Sequence, residues 1–226
     1  MLQDSEIQVD TTEQIAEKAR ELFDVFSVSR LPDGSSLLVL GLESIPERNL
    51  DEFGHSEGAF RMYGFEKYVA PGLESLLEFI RDMGFSAEPV GRYGYPLKGE
   101  INLKEIAIQT GLGKRGKSTV VLNPEYGPRL RFIGVRTDAP LESLIGAEQS
   151  DEEAPVCNEC SICIDECPVN ALEPYRMPDP SICLSNITPK TDEGRSILCD
   201  ICLNLCPAAI QDRARDKKSE LEEHPD

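Results

Sequence analysis

Eight cysteines lie between Cys157 and Cys206 of this 226-residue chain, and no cysteine lies outside that stretch. A cysteine thiolate is a soft ligand suited to zinc and to iron–sulfur clusters, and in an oxidising compartment a thiol pair closes a disulfide. The spacing discriminates among these chemistries. A first run reads Cys157-x2-Cys160-x2-Cys163-x3-Cys167-Pro168, and a second reads Cys199-x2-Cys202-x3-Cys206-Pro207. The second run lacks its first cysteine, because Ser196 stands where the repeat would place one. Cys183 stands alone in Ser181-Ile182-Cys183-Leu184-Ser185 and restores the count.

Three cysteines at successive two-residue gaps, followed by Cys-Pro, form the bacterial ferredoxin pattern. There, three thiolates hold one cluster and the fourth reaches the other. Applied here, the pattern assigns Cys157, Cys160, Cys163 and Cys206 to one [4Fe–4S] cluster. Cys167, Cys183, Cys199 and Cys202 are assigned to a second, and no cysteine is left over. A [3Fe–4S] form is compatible with the same ligands. Structural zinc sites usually separate two Cys-x-x-Cys pairs by a longer loop, so zinc fits less well. The expected chemistry is electron transfer, or a reduction supplied by it.

A second motif, Gly111-Leu112-Gly113-Lys114-Arg115-Gly116-Lys117-Ser118, matches the phosphate-binding G-x-x-x-x-G-K-[ST] letter for letter. That loop requires a strand before it and a helix after it, so that helix N–H groups face the phosphates. Here Leu103–Thr110 reads as a helix stopped by Gly111, and Thr119–Leu122 reads as a strand. The order is reversed, which argues against nucleotide hydrolysis. Three glycines beside Lys114, Arg115 and Lys117 still suit an anion or a cofactor carrying amide and phosphate groups. The plainer alternative is a tight turn with solvated basic residues.

Candidate proton donors are few. The histidines are His55, in a polar loop, and His224, near the C-terminus. Tyr63, Tyr93 and Tyr95 could donate protons in a reduction, or serve as aromatic packing.

The elements that must position these residues read as follows. Thr11–Phe26 is an expected amphipathic helix capped near Thr11-Thr12, with Ile15, Ala19, Leu22 and Phe26 on one face. Ser36–Leu42 reads as a buried strand after the Pro32-Asp33-Gly34 turn, and Pro46–Ser56 as a loop. Gly58–Gly84 reads as helical with a break at Pro71-Gly72, Leu73, Leu76, Leu77 and Ile80 forming its apolar face. Ser86–Val90 is a strand candidate and Gly91–Gly99 a loop. Thr119–Leu122 and Leu130–Thr137 read as two strands of a hairpin or meander. The acidic stretch Glu148–Glu153 reads as a linker. The expected domains are 1–150, 151–210 and a charged tail, 211–226.

The net charge is −18. Such a surface repels phosphates, so nucleic acid is not expected as a partner; the charge reads as a solubility device or an adaptation to salt, the alternative being an acidic docking face for a basic redox partner. Met1–Glu21 has no basic segment leading into an apolar one, and no stretch is long enough to span a bilayer. A cytoplasmic protein is expected, in which cysteines serve metal rather than disulfides.

Together, Gly111-Leu112-Gly113-x-x-Gly116-Lys117-Ser118-Thr119, Gly127, Phe132-x-Gly134 and the cysteine order resemble the epoxyqueuosine reductases. The likeness runs from about Leu103 to Ala208, and the corrinoid-dependent reductive dehalogenases are similar to the same architecture. The resemblance implies an α+β chain: an α/β, nitroreductase-like N-terminal domain holding cobalamin, then a ferredoxin-like double [4Fe–4S] module. It would place Gly111, Gly113, Gly116, Lys117, Ser118 and Ser185 near the corrinoid, with the Cys157–Cys206 cluster proximal to it. The sequence departs from that family in three ways. Pro96–Asn102 lacks the Asp-Ser-Ala-Pro segment, whose Asp donates the proton, and the Glu-Arg pair. Lys114 replaces an aromatic after Gly113. The residues after Cys206 leave no room for the helical repeats that grip tRNA.

The resemblance implies an iron–sulfur oxidoreductase passing electrons from an external ferredoxin- or flavodoxin-type donor to a corrinoid or a substrate. The alternative is a non-catalytic electron carrier or subunit serving a partner enzyme.

Overall fold

A computed structural model describes residues 2–90, 101–142, 153–189 and 194–209. Tyr93, Tyr95, His224, the Gly91–Gly99 loop, most of the Glu148–Glu153 linker and the 211–226 tail lie outside the described residues. The chain divides into two compact units: Met1–Leu112 with Arg131–Ser150, and Gly113–Leu130 with Asp151–Asp226. The basic part of the glycine loop therefore groups with the cysteines, although it precedes them by a long stretch of sequence.

In chain order the elements open with α1 (Leu2–Leu22), β1 (Val25–Arg30), β2 (Ser36–Glu43), β3 (Glu52–Ser56) and β4 (Ala59–Arg61). Then come α2 (Tyr63–Tyr68), α3 (Ala70–Asp82), β5 (Ala87–Val90) and α4 (Leu103–Gln109). Next are β6 (Lys114–Arg115), β7 (Val121–Leu122), β8 (Leu130–Thr137) and α5 (Ile162–Asp165). The last are α6 (Pro180–Leu184), β9 (Ile187–Pro189), β10 (Arg195–Leu198) and α7 (Ile201–Asn204).

The first unit is built on a sheet ordered β1-β2-β8-β5. The β1–β2 and β5–β8 pairs are antiparallel. β2 is an unbroken apolar run, Leu37 to Leu40 being fully buried, as a central strand covered on both faces requires. Ile15, Ala16 and Ala19 of α1 and Leu76, Leu77 and Ile80 of α3 bury the helix faces that pack together. Each isoleucine and leucine among them contributes about 1.5–3 kcal/mol by leaving water. Gly134 of β8 leaves room for α4, since a Cβ there would stand 3.0 Å from Leu103 Cδ2. Helices and strands are mixed as an α+β reading expects.

Several boundaries differ from the sequence reading. α1 starts well before Thr11, and the Thr12 hydroxyl accepts the Glu142 N–H at 3.0 Å instead of capping a helix. The helix stops at Leu22, and Phe26 belongs to β1. The helical period had run across the boundary, but Val25–Arg30 pairs edge to edge with β2. Pro46–Ser56 contains β3, because Gly54, His55 and Ser56 pair with Arg61, Phe60 and Ala59 of β4. Gly58–Gly84 holds β4, α2 and α3, with Pro71 in the first turn of α3, where it lacks no hydrogen bond. β7 and β8 are not partners: β7 pairs with β6, and β8 lies between β2 and β5.

In the second unit, the β6–β7 pair aligns Lys114 with Leu122 and Arg115 with Val121. The two cysteine runs then fold alike. Each passes through a four-residue helix whose second residue is a cysteine, Cys163 in α5 and Cys202 in α7. The preceding residues, Ser161 and Asp200, have nearly equal φ of −125 and −123. Cys167 donates its N–H to Ile164 O at 3.2 Å, and Cys206 donates to Leu203 O at 3.4 Å, the same offset in both runs. Asn170 and Ala209 then bond back to those two cysteines, again at one offset. The sequence repeat is a backbone repeat.

Candidate metal centre

Lys117 and Ser118 of the glycine loop line a pocket of the second unit. After α4, Gly111 takes a positive φ of +78 and ends the helix. Gly116 N–H then donates to Val120 O at 2.8 Å, and Thr119, at φ +69, turns the chain into β7. A Cβ on Gly113 would lie 2.6 Å from Leu122 O, and one on Gly116 would lie 2.9 Å from Val120 O. These glycines are required by the tight β6–β7 turn itself. Lys117 and Ser118 are followed by this turn and a strand, so no helix N-terminus follows them to receive phosphates.

One pocket of the second unit is lined by Cys157, Cys160, Cys163 and Cys206 together with Lys117 and Ser118. Leu122, Val156 and Pro207 complete its wall. Cys157 sits in a 3-10 turn, Pro155–Cys157, and is buried against Leu122 and Ala154. The Ala154 N–H bonds to Arg115 O at 2.9 Å, pinning that turn to β6. Cys163 comes from α5, and Cys206 follows α7, which α5 touches. Lys117 donates its backbone N–H to Cys157 Sγ at 3.4 Å.

Burial and the neighbouring sulfurs disfavour ionisation of two of these thiols, Cys163 and Cys206. Burial raises the Cys163 thiol above its ordinary value, and the neighbouring Cys157, Cys206 and Cys160 sulfurs push it further. Burial likewise raises Cys206, opposed by the Ala208 and Ala209 N–H groups. Four thiols lining one pocket, Cys157 buried and the others partly so, are stabilised as thiolates together by a cation among them. Among the described residues, no three His, Cys, Asp or Glu side chains converge as one metal ion would require. A four-iron cluster gives each thiolate its own iron, so its ligands stand farther apart. The donor set fits a cluster.

The other four cysteines are positioned differently. Ser196 lies in β10, paired with Pro189 of β9, so strand pairing occupies the place where a cysteine would complete the repeat. Cys183 lies in α6, which Asp179 caps by accepting the Ser181 N–H at 2.9 Å. Asn186 links it to the run: Asn186 N–H donates to Cys183 O, and Cys199 N–H donates to Asn186 O at 3.3 Å. Cys167 Sγ accepts the Ala171 N–H at 3.3 Å. All eight cysteines are free of disulfides.

Of the remaining candidates, Lys117 and Ser118 line the cysteine pocket, and Gly113 and Gly116 shape the turn beside it. Gly111 closes α4 in the other unit. Ser185 caps the C-terminus of α6, its hydroxyl donating to Ile182 O at 2.7 Å. His55 is exposed on β3, edge-on to Phe60 at 5.7 Å, rather than in a loop. Tyr63 opens α2. The sequence reading missed Tyr175 and Glu153. Tyr175 takes a positive φ of +60 and donates its N–H to Lys117 O at 2.9 Å. Its hydroxyl hydrogen-bonds Glu153 and is pushed up to about 12, first by desolvation, then by Glu153 and the Cys157 and Cys163 sulfurs. Only its rare backbone conformation sets it apart, and that does not show in a sequence.

No family model matches the chain. Among curated relatives, an epoxyqueuosine reductase of Cyclobacterium marinum is 28% identical over 194 residues, covering 79% of this chain and 60% of the relative. A tetrachloroethene reductive dehalogenase of Desulfitobacterium hafniense is 28% identical over 121 residues, covering 51% of this chain and 20% of the relative. A crystal structure of an epoxyqueuosine reductase with a tRNA-Tyr stem loop aligns at a TM-score of 0.59 and 17% identity. It covers 89% of this chain, which spans 66% of that one. The chain thus spans less than two thirds of the length of these proteins. It is a relative of epoxyqueuosine reductases and of a reductive dehalogenase, and it shares the fold of their solved structures.

Proposed function

We propose that this chain is an iron–sulfur oxidoreductase that passes electrons through two [4Fe–4S] clusters to a bound corrinoid or directly to a substrate. The supporting observation is the pocket on which Cys157, Cys160, Cys163 and Cys206 converge. In this reading Cys167, Cys183, Cys199 and Cys202 hold the second cluster, and an external ferredoxin- or flavodoxin-type protein is the donor. Gly111, Gly113, Gly116, Lys117, Ser118 and Ser185 would lie toward the corrinoid. Clusters of this kind supply one-electron transfer when bound. The chain's residues do the rest: thiolates hold the iron, while the Lys117 and Ala171 N–H groups donate to cysteine sulfurs and stabilise their negative charge. Ser118, buried in the pocket wall, and Leu122 keep bulk water from that face.

Among the described residues no helix is long and apolar enough to cross a membrane. In this reading the chain works in the cytoplasm, a reducing compartment in which cysteines serve metal rather than disulfides. The domain assignment proposed is 1–150 for the α/β part, 151–210 for the cluster module and 211–226 for the tail, with Gly113–Leu130 packing as part of the cluster module.

Anaerobic purification with iron and sulfide counts tests the shared premise; about eight irons per chain are expected, and about four or fewer would sink the two-cluster claim. Titration with cobalamin then separates two roles. A base-off spectrum supports the corrinoid enzyme. An unchanged spectrum, with electron exchange to a partner protein, points to the carrier.

A further inference from the structure

Lys117 meets the cysteine pocket in two ways: its backbone N–H donates to Cys157 Sγ at 3.4 Å, and its residue lines the wall. Its backbone carbonyl is held by the Tyr175 N–H at 2.9 Å. Its ammonium lies 5.9 Å from the centre of the Tyr175 ring. Tyr175 in turn hydrogen-bonds Glu153. Glu153 is fixed beside β6 through its backbone, since it bridges to Arg115. A cation and an anion thus meet one tyrosine, which packs against the cluster of Leu122, Ala154 and Cys157. Neither charge is needed to hold metal.

We propose that Lys117, positioned by Tyr175 and Glu153, sets the reduction potential of the cluster on Cys157, Cys160, Cys163 and Cys206. The inference rests on the reading of that pocket as a cluster site. One-electron reduction adds one negative charge to the cluster. A nearby ammonium and an N–H···S bond favour the reduced state, and a nearby carboxylate opposes it. Lys117 therefore raises the potential and Glu153 lowers it, while Tyr175 fixes how far each acts.

The test uses the full chain, reconstituted anaerobically with ferrous iron and sulfide. Iron is counted, and the chain is titrated with dithionite while reduced clusters are followed by electron paramagnetic resonance. The cluster concerned is the one whose signal is lost in Cys206→Ser. Lys117→Gln should lower its potential by a tenfold change in the reduced-to-oxidised ratio, about 59 mV for one electron. Glu153→Gln should raise it, and Lys117→Arg should leave it near the unmodified chain. The second cluster should move in none of them. Equal shifts in both clusters, shifts of the same sign for Lys117→Gln and Glu153→Gln, or no shift with iron intact would overturn the proposal. If Lys117→Gln fails to take up iron, the sign of the Glu153→Gln shift alone decides. An unmodified chain that takes up no iron overturns the cluster reading itself, and this inference with it.

Discussion

Cys206 carries the distinctive claim at the scale of single residues, because it belongs to the second cysteine run by sequence and to the first pocket by position. Cys206→Ser removes one thiolate from the pocket and leaves Cys167, Cys183, Cys199 and Cys202 untouched. The expected result is a chain that keeps about half of its iron and sulfide, measured after anaerobic reconstitution. Full iron retention would show that Cys206 is not a ligand. This crossover was legible in the sequence, because Cys-Pro closing both runs gives the arithmetic of two interleaved sites. The Tyr175–Lys117 contact was not legible. It joins residues far apart in the chain through a backbone hydrogen bond, and no spacing rule reports such a bond.

At the scale of elements, short pieces are set by what packs against them. The β6–β7 turn illustrates this: Gly113 faces the Leu122 carbonyl so closely that a methyl group would stand 2.6 Å from it. Gly113→Ala should force β7 away from β6 and disturb Leu122, one wall of the cysteine pocket. Slower or lower iron uptake than the unmodified chain is the expected outcome, while unchanged uptake would mean the turn does not shape the pocket. Gly72→Ala of α3 is the control, since a Cβ there would meet only ordinary contacts, the nearest at 3.6 Å. A second element-scale case is the fork of Arg61 at the end of β4 onto Glu66 of α2, both bonds 2.6 Å. The hydrogen bond and charge of Arg61 hold the Glu66 carboxyl below its ordinary value. A depressed carboxylate adds stability that is present above its unfolded value of 4.5 and is lost as pH falls below it. Arg61→Ala should therefore cost up to about 1 kcal/mol at pH 7, the range of exposed pairs. That cost should shrink toward zero as urea melts are repeated at falling pH; a cost that does not depend on pH would assign the effect to packing. The strands around this fork were the least legible part of the fold. β3 and β4 are short and polar, so alternation is faint, and pairing rather than composition makes them strands.

At the scale of the whole molecule, the net charge and the length of the chain bear on the same question. One solved relative of this fold was captured with a tRNA stem loop, and the chain spans 66% of that protein. A net charge of −18 argues against the same partner here. Binding to a phosphate backbone draws its affinity from lysines and arginines that release counterions, and its logarithm falls steeply with added salt. An acidic surface releases few counterions and repels the rest of the backbone over a Debye length of about 8 Å at physiological ionic strength. A fluorescently labelled tRNA stem loop should therefore show no saturable binding to the iron-loaded chain at 0.15 M salt. By the same field, electron exchange with a basic redox protein should be fastest in dilute buffer and slow as salt is added. Saturable tRNA binding that weakens with salt would mean that Lys114, Arg115 and Lys117 form a local basic face strong enough to override the net charge.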